Sequence, residues 1–192
     1  MLRKIAFAGA VLAMAAGPAQ ANHAELKNPD FAPYAFLIGE WDIHEEGQPA
    51  AAVHRASWSG GGTSVRLETD LLINGKQVPH YEGLLVWNGV RRDFDMLLNL
   101  DPVAAKVQER GRLRVDHPAQ MLVREITATY APGVMGPDGK RTGSGGAEFS
   151  FRQTFKKLSD DRILTSMMRQ TATGWVATFP GSEEVLMTRR KT

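Results

Sequence analysis

Four side chains in this sequence combine useful chemistry with a spacing that can bring them together. His80 and Glu82 stand two apart in the run Gln77 to Trp87, and alternate side chains of a strand share a face, so both fall in line with Val78, Leu84 and Val86. Facing a closed apolar interior, the pair would supply a general base or orient a ligand, with desolvation shifting both pKa values. A rim position, or ordinary hydrogen bonding in a core, is the plainer account. Arg124 shares parity with Leu122 and Ile126, and Gln153 shares it with Phe151 and Phe155. Turned inward, the arginine would clamp a carboxylate through two parallel hydrogen bonds while Gln153 accepts or donates beside it. A strand end or bulge that turns them outward is the simpler expectation. His80, Glu82, Arg124 and Gln153 are the candidate ligand-binding residues; no catalytic residue and no metal ligand is assigned.

Other arrangements fail on spacing. His44 and His54 with Glu45 and Glu46 lack the helical order in which two histidines four apart bind zinc, and are expected to be surface histidines. Asp93 and Asp95 lie opposite Phe94 and Met96, as expected of an outward solvated face. Gly139-Lys140 is followed by Arg141 where a phosphate loop requires Ser or Thr, and no glycine stands five residues before Gly139. Ser57 and Ser144 lie outside any Gly-x-Ser-x-Gly frame and read as parts of turns. Met96, Met121, Met167, Met168 and Met187 suit either an adaptable cavity wall or ordinary core packing, and the four tryptophans read as packing anchors.

The elements that must position these residues are strands. Period-two alternation begins at Trp41 and recurs to Arg189, with no helix-period segment long enough to form a second layer. Asn74-Gly75 and Asn88-Gly89 each separate two strand-like runs, and Asn-Gly accepts the positive φ angles of a tight type I′ hairpin turn. Thr63–Ile73, Gln77–Trp87 and Val90–Leu100 therefore form a meander, with Val65, Leu67, Leu71 and Ile73 on one face and Phe94, Met96, Leu98 and Leu100 on one face. Arg110, Arg112 and Arg114 point together to a solvated exterior. Residues 131–146 are the longest loop, and Phe149, Phe151 and Phe155 mark a half-buried strand after it. Ahead of the strands, Asp30 to Ile38 is expected to form one or two helical turns. About ten short strands must pack as two sheets or close on themselves; both remain open, and consecutive tight hairpins favour closure.

The N-terminus carries an address. Arg3 and Lys4 precede the apolar run Ile5 to Ala16, and Ala19-Gln20-Ala21 forms a small-x-small cleavage site, the layout of a secretory signal. The run is shorter than the roughly 20 residues that cross a bilayer, and Gly17-Pro18 interrupts it. Residues 1–21 are read as signal peptide and 22–192 as one domain, periplasmic or secreted, with no integral membrane segment after cleavage. Of 23 basic residues, Arg3 and Lys4 leave with the signal, so 21 remain against 21 acidic ones. The neutral mature chain argues against nucleic acid as a partner. With no cysteine, it has neither disulfides nor thiolate chemistry.

Three motifs carry a resemblance: Phe36-Leu37-Ile38-Gly39-Glu40-Trp41, then Gly83-Leu84-Leu85-Val86-Trp87 with Asp93-Phe94, and Phe151-Arg152-Gln153-Thr154-Phe155 running on to Val185-Leu186-Met187-Thr188-Arg189. Together they resemble the secreted bacterial lipocalin-like (calycin, nitrobindin-like) barrel family, whose function is undefined. The resemblance implies an all-β, antiparallel up-and-down β-barrel of about 8–10 strands with a short N-terminal helical turn. It does not imply haem: nitrobindin-like proteins ligate iron through a late histidine, whereas the last histidine here is His117. No cofactor is expected. The expected role is binding a small apolar or amphipathic ligand within the barrel. The alternatives are a barrel enzyme (isomerase, cyclase or hydrolase) using His80 and Glu82, or a structural, partner-binding envelope protein.

Overall fold

Alternating apolar and polar side chains become antiparallel strands: β1 (Gly39–His44), β2 (Ala52–Trp58), β3 (Ser64–Ile73), β4 (Lys76–Asn88), β5 (Asp93–Leu100), β6 (Val107–Asp116), β7 (Met121–Tyr130), β8 (Ala147–Ser159), β9 (Arg162–Thr171), β10 (Gly174–Ala177) and β11 (Val185–Arg189). The computed structural model describes residues 29–59, 62–100, 106–117 and 119–191; the expected signal peptide lies outside the described residues. Strands β1 to β9 pair in chain order, and β11 closes the ring by lying between β9 and β1. Ten strands thus form a closed antiparallel barrel, the all-β architecture expected. The remaining strand, β10, pairs with Met168–Thr171 of β9, beyond the stretch Arg162–Thr165 that pairs with β11.

The two Asn-Gly connections differ. Asn74 (φ 51°) and Gly75 (φ 75°) form the expected two-residue turn, with Ile73 paired to Lys76. At Asn88-Gly89 the turn is longer. Asn88 pairs with Asp93, its Oδ1 accepts from the backbone N–H groups of Val90 and Arg91, and Arg92 takes the positive φ of 58°. The asparagine side chain organises this loop in place of a primed turn, so β5 starts at Asp93 rather than at Val90. Asp93 is buried beneath Arg91, whose Nε donates to its carboxylate at 3.0 Å, and only Asp95 has the solvated position expected of both.

One barrel end is stoppered by the 3-10 helix Pro29–Leu37, the helical turn foreseen before the first strand. It buries Phe31, Tyr34 and Leu37. Phe31 stacks on Trp58 at 5.2 Å and meets Trp87 edge-on at 4.9 Å, while Tyr34 meets Phe94 edge-on at 4.9 Å. Beneath lie Trp41, Phe94, Leu113, Leu122, Ile163 and Met187, all effectively without solvent contact. Phe151, Leu67 and Phe94 belong to this one cluster, and Phe149 packs against its edge, as alternate inward positions require. The outer face is charged: Arg110 reaches Glu148, and Arg112 and Arg114 share Glu125.

Gly111 faces inward where β6 and β7 approach, and a Cβ there would land on the Glu125 carbonyl oxygen, whereas a Cβ on Gly145 meets nothing. Gly111→Ala is expected to lower unfolding free energy by about 1–3 kcal/mol, the usual cost of overpacking. Gly145→Ala should change it by under about 0.5 kcal/mol, both read from urea unfolding curves.

Candidate functional site

Away from the stopper the inward side chains no longer meet, and a lumen of about 340 Å³ opens, a size typical of small-molecule sites. Ile43, Leu71, Leu100, Phe155, Met167 and Val185 give it apolar walls, and His54, Thr69, Tyr81, Glu109, Arg124, Gln153 and Thr165 place polar groups among them. A larger concavity of about 900 Å³ lies outside the barrel, beside the 3-10 helix. It is an open groove onto which no buried polar side chain converges, so the lumen is the candidate site.

Strand pairing explains the assembly. In an antiparallel ladder directly opposed residues point the same way, so Trp41, His54, Thr69 and Tyr81 form one inward row across β1 to β4. Leu113, Arg124, Gln153 and Met167 form another across β6 to β9. Arg124 and Gln153 thus both face the lumen rather than turning outward, and they are direct cross-strand neighbours.

The other two sequence candidates part company. A register shift between Thr69 and Asp70 leaves Tyr81 opposite Thr69 and Pro79 opposite Asp70, with His80 as the extra residue of a bulge. Beyond it the parity of β4 reverses: Tyr81, Gly83, Leu85 and Trp87 lie opposite the inward row of β5, and Glu82 is exposed with Leu84 and Val86. His80 reaches the cavity wall, but the expected His80 and Glu82 pair is not formed. In the alternative of a barrel enzyme, His80 would stand at the cavity without Glu82 beside it.

His54 corrects the sequence reading in the other direction. Expected at the surface, it is 6% exposed inside the barrel. Its Nδ1 lies 2.8 Å from Thr69 Oγ1 and 3.0 Å from Tyr81 OH. In the neutral ring Nδ1 offers a single lone pair or a single N–H, so the two hydroxyls share it, in a direction set by the tautomer. Burial, then the charges of Arg124 and Arg55, hold its pKa down at about 3. His44 sits at the lumen's edge, with Nε2 3.2 Å from Thr188 Oγ1. Among the described residues, no group of three His, Asp or Glu side chains is gathered as a metal site would require. His117 is exposed in the turn after β6, beside the outer groove.

Glu109 and Arg124 form the charged centre, each side chain 6% exposed. Glu109 Oε2 and Arg124 Nη2 are 3.6 Å apart, too far for a hydrogen bond. Burial pushes the Glu109 carboxyl above its usual range, and Arg124 opposes that only in part. Glu109 Oε2, Arg124 Nε and Gln153 Oε1 have no hydrogen-bond partner among the described residues. Gln153 Nε2 donates to Thr165 Oγ1 at 3.2 Å, and the guanidinium lies 5.9 Å from the centre of the Tyr81 ring. One donor and two acceptors without hydrogen-bond partners among the described residues thus belong to side chains that line an apolar-walled space.

The fold and site together define a closed ten-stranded β-barrel with a partly polar lumen. No protein-family model matches the chain, and no curated protein matches it. Among solved structures it is similar to the crystal structure of Rv2717c from M. tuberculosis, at 11% identity over 85% of this chain and 99% of that one, with a TM-score of 0.48.

His54 makes stability depend on pH with a definite sign. Below its unfolded-state pKa of 6.5 the unfolded chain binds a proton that folded His54 refuses until about pH 3, so this residue makes stability fall as pH drops through that window. The slope is at most about 1.4 kcal/mol per pH unit. Raised Glu109 contributes the opposite slope above its ordinary value of 4.5. Comparing the parent with His54→Gln isolates the histidine: in urea unfolding from pH 7 to pH 5, the variant is expected to lose less stability than the parent.

Proposed function

We propose that the protein is a container for a small amphipathic molecule, held in the barrel lumen with its polar head at Arg124 and Gln153 and its apolar part along Leu71, Leu100, Phe155 and Val185. The observation that carries this reading is a set of buried polar atoms, Arg124 Nε, Gln153 Oε1 and Glu109 Oε2, that lack hydrogen-bond partners among the described residues and belong to side chains lining an apolar-walled cavity. Buried polar groups are nearly always hydrogen-bonded, and leaving one bare costs about 1–3 kcal/mol, so a bound head group would recover what the fold forgoes. His54, Thr69 and Tyr81 already satisfy one another, and they make a fixed polar wall rather than a docking point.

Two measurements test the container. Purified chain incubated with a mixed lipid extract and sprayed under native conditions is expected to retain a small-molecule adduct, and recovery of bare chain alone counts against the reading. Ala52 faces this cavity and is 6% exposed, so Ala52→Phe fills it from the wall. The variant is expected to lose the adduct while keeping the near-ultraviolet circular dichroism of the parent.

Export belongs to the same proposal. Arg3-Lys4, the apolar run and Ala19-Gln20-Ala21 support a carrier working in the periplasm or outside the cell. N-terminal sequencing of the protein recovered from that compartment is expected to begin at Asn22; a chain still beginning at Met1 would refute cleavage.

A further inference from the structure

The head group's charge follows from how Glu109 and Arg124 meet in the lumen. Arg124 presents five N–H donors, yet at 3.6 Å its Nη2 makes no hydrogen bond to Glu109, and its Nε has no partner. A buried ion pair offsets its desolvation only when its geometry is excellent and its remaining donors and acceptors are met. Neither condition holds here, so the guanidinium's forked edge is left to an acceptor from outside the chain. Planar forks of this kind bind two-oxygen anions through paired hydrogen bonds.

An anion arriving at Arg124 would leave two negative charges beside one positive charge among buried side chains, and the simplest relief is a proton on the displaced carboxyl. We infer that the ligand is an anionic amphiphile whose head takes Arg124 from Glu109, and that Glu109 binds one solvent proton as it is displaced. The inference rests on the container reading. Charge balances: the bare lumen holds guanidinium and carboxylate, and the loaded lumen holds guanidinium, ligand anion and a neutral carboxylic acid. That acid then has an O–H to donate to the head group it made room for.

The surroundings favour Glu109 as the proton's destination. Across the ladder it faces Leu98 of β5 and Ala128 of β7, which carry no charge. From β7 come Arg124 and Tyr130, whose hydroxyl pKa is pushed up chiefly by burial and then by Glu109 itself. His54 of β2, His80 and Tyr81 of β4, and His44 and Glu45 at the end of β1 share the cavity wall, and Arg169 of β9 lies opposite inward Phe151. Burial raises the Glu109 pKa and the Arg124 charge lowers it, so drawing Arg124 away removes what opposes protonation; burial keeps His54 neutral.

The probes are decane-1-sulfonate, which stays ionised throughout, and 1-decanol, which has the same tail and no charge. Titration calorimetry of the purified chain between about pH 5 and pH 8, in buffers of different ionisation heat, counts the protons taken up. Decane-1-sulfonate is expected to bind with uptake of up to one proton, its affinity rising by up to about tenfold for each pH unit lowered. 1-Decanol is expected to bind more weakly and without proton uptake. Glu109→Gln is expected to bind the sulfonate more tightly with no proton uptake. Sulfonate binding without proton uptake in the parent, or uptake that persists in Glu109→Gln, overturns the inference. Binding of 1-decanol alone overturns it and leaves the container standing, whereas binding of neither probe overturns both.

Discussion

Arg189 lies over the Trp41 ring, with its guanidinium carbon 4.2 Å from the ring centre, and this contact fastens the last strand to the first. Its Nη1 donates to the Ile38 carbonyl at 3.1 Å and its Nε donates to the Asp160 carbonyl at 3.1 Å. Trp41 Nε1 in turn donates to the Leu37 carbonyl at 2.9 Å. One arginine and one tryptophan therefore join the 3-10 helix, β1, β11 and the β8–β9 turn. Gly39 makes this possible: its φ of 129° is one that side-chain-bearing residues rarely adopt, and a Cβ there would strike the guanidinium. A closed barrel has no free edge, so everything inside it depends on this join.

Closure creates an interior, and the sequence then spends that interior in two ways. Near the stopper, large rings and aliphatic side chains meet across the middle and fill it. Toward the other end Ala52, Thr69 and Thr165 are small, and the space they leave remains open. Polar residues placed there cannot rely on bulk water, so each must find a partner or remain bare. His54, Thr69 and Tyr81 solve this among themselves, while Arg124, Glu109 and Gln153 do not. The difference between a satisfied cluster and an unsatisfied one in the same cavity separates the fixed wall from the proposed docking point.

Much of the barrel was legible because alternation is a strong signal where one face is dry. The inward phenylalanines of β8, the outward arginines of β6 and the Asn74-Gly75 turn all follow from local chemistry. The same parity rule, applied to β2 and β6, would also have found His54 among Ala52, Ala56 and Trp58, and Glu109 between Val107 and Leu113. Sequence reasoning instead places His54 at the surface and passes over Glu109, because polar side chains ordinarily face water. The rule misled in β4, where one extra residue reverses the faces; Pro79, which cannot donate to a ladder, was the local hint of that irregularity. The length of the Asn88 loop was hidden for another reason, since the asparagine side chain rather than the dipeptide's φ preference organises it.

Strand β9 hands one edge from β11 to β10, and between the two ladders the connection is made by Ser182, which has no solvent exposure. Its hydroxyl donates to the Met167 carbonyl at 2.8 Å and accepts from the N–H groups of Thr178 and Phe179, while its carbonyl accepts from Met167 N–H at 2.7 Å. Phe179 and Met167, on either side of this knot, both border the lumen. Parting the wall here means releasing a handful of bonds around a single serine while the ladders above and below stay zipped. The barrel's ladders and the connection that borders its lumen thus answer to separate sets of hydrogen bonds, so a change at Ser182 would disturb the lumen's border and leave the strand register intact.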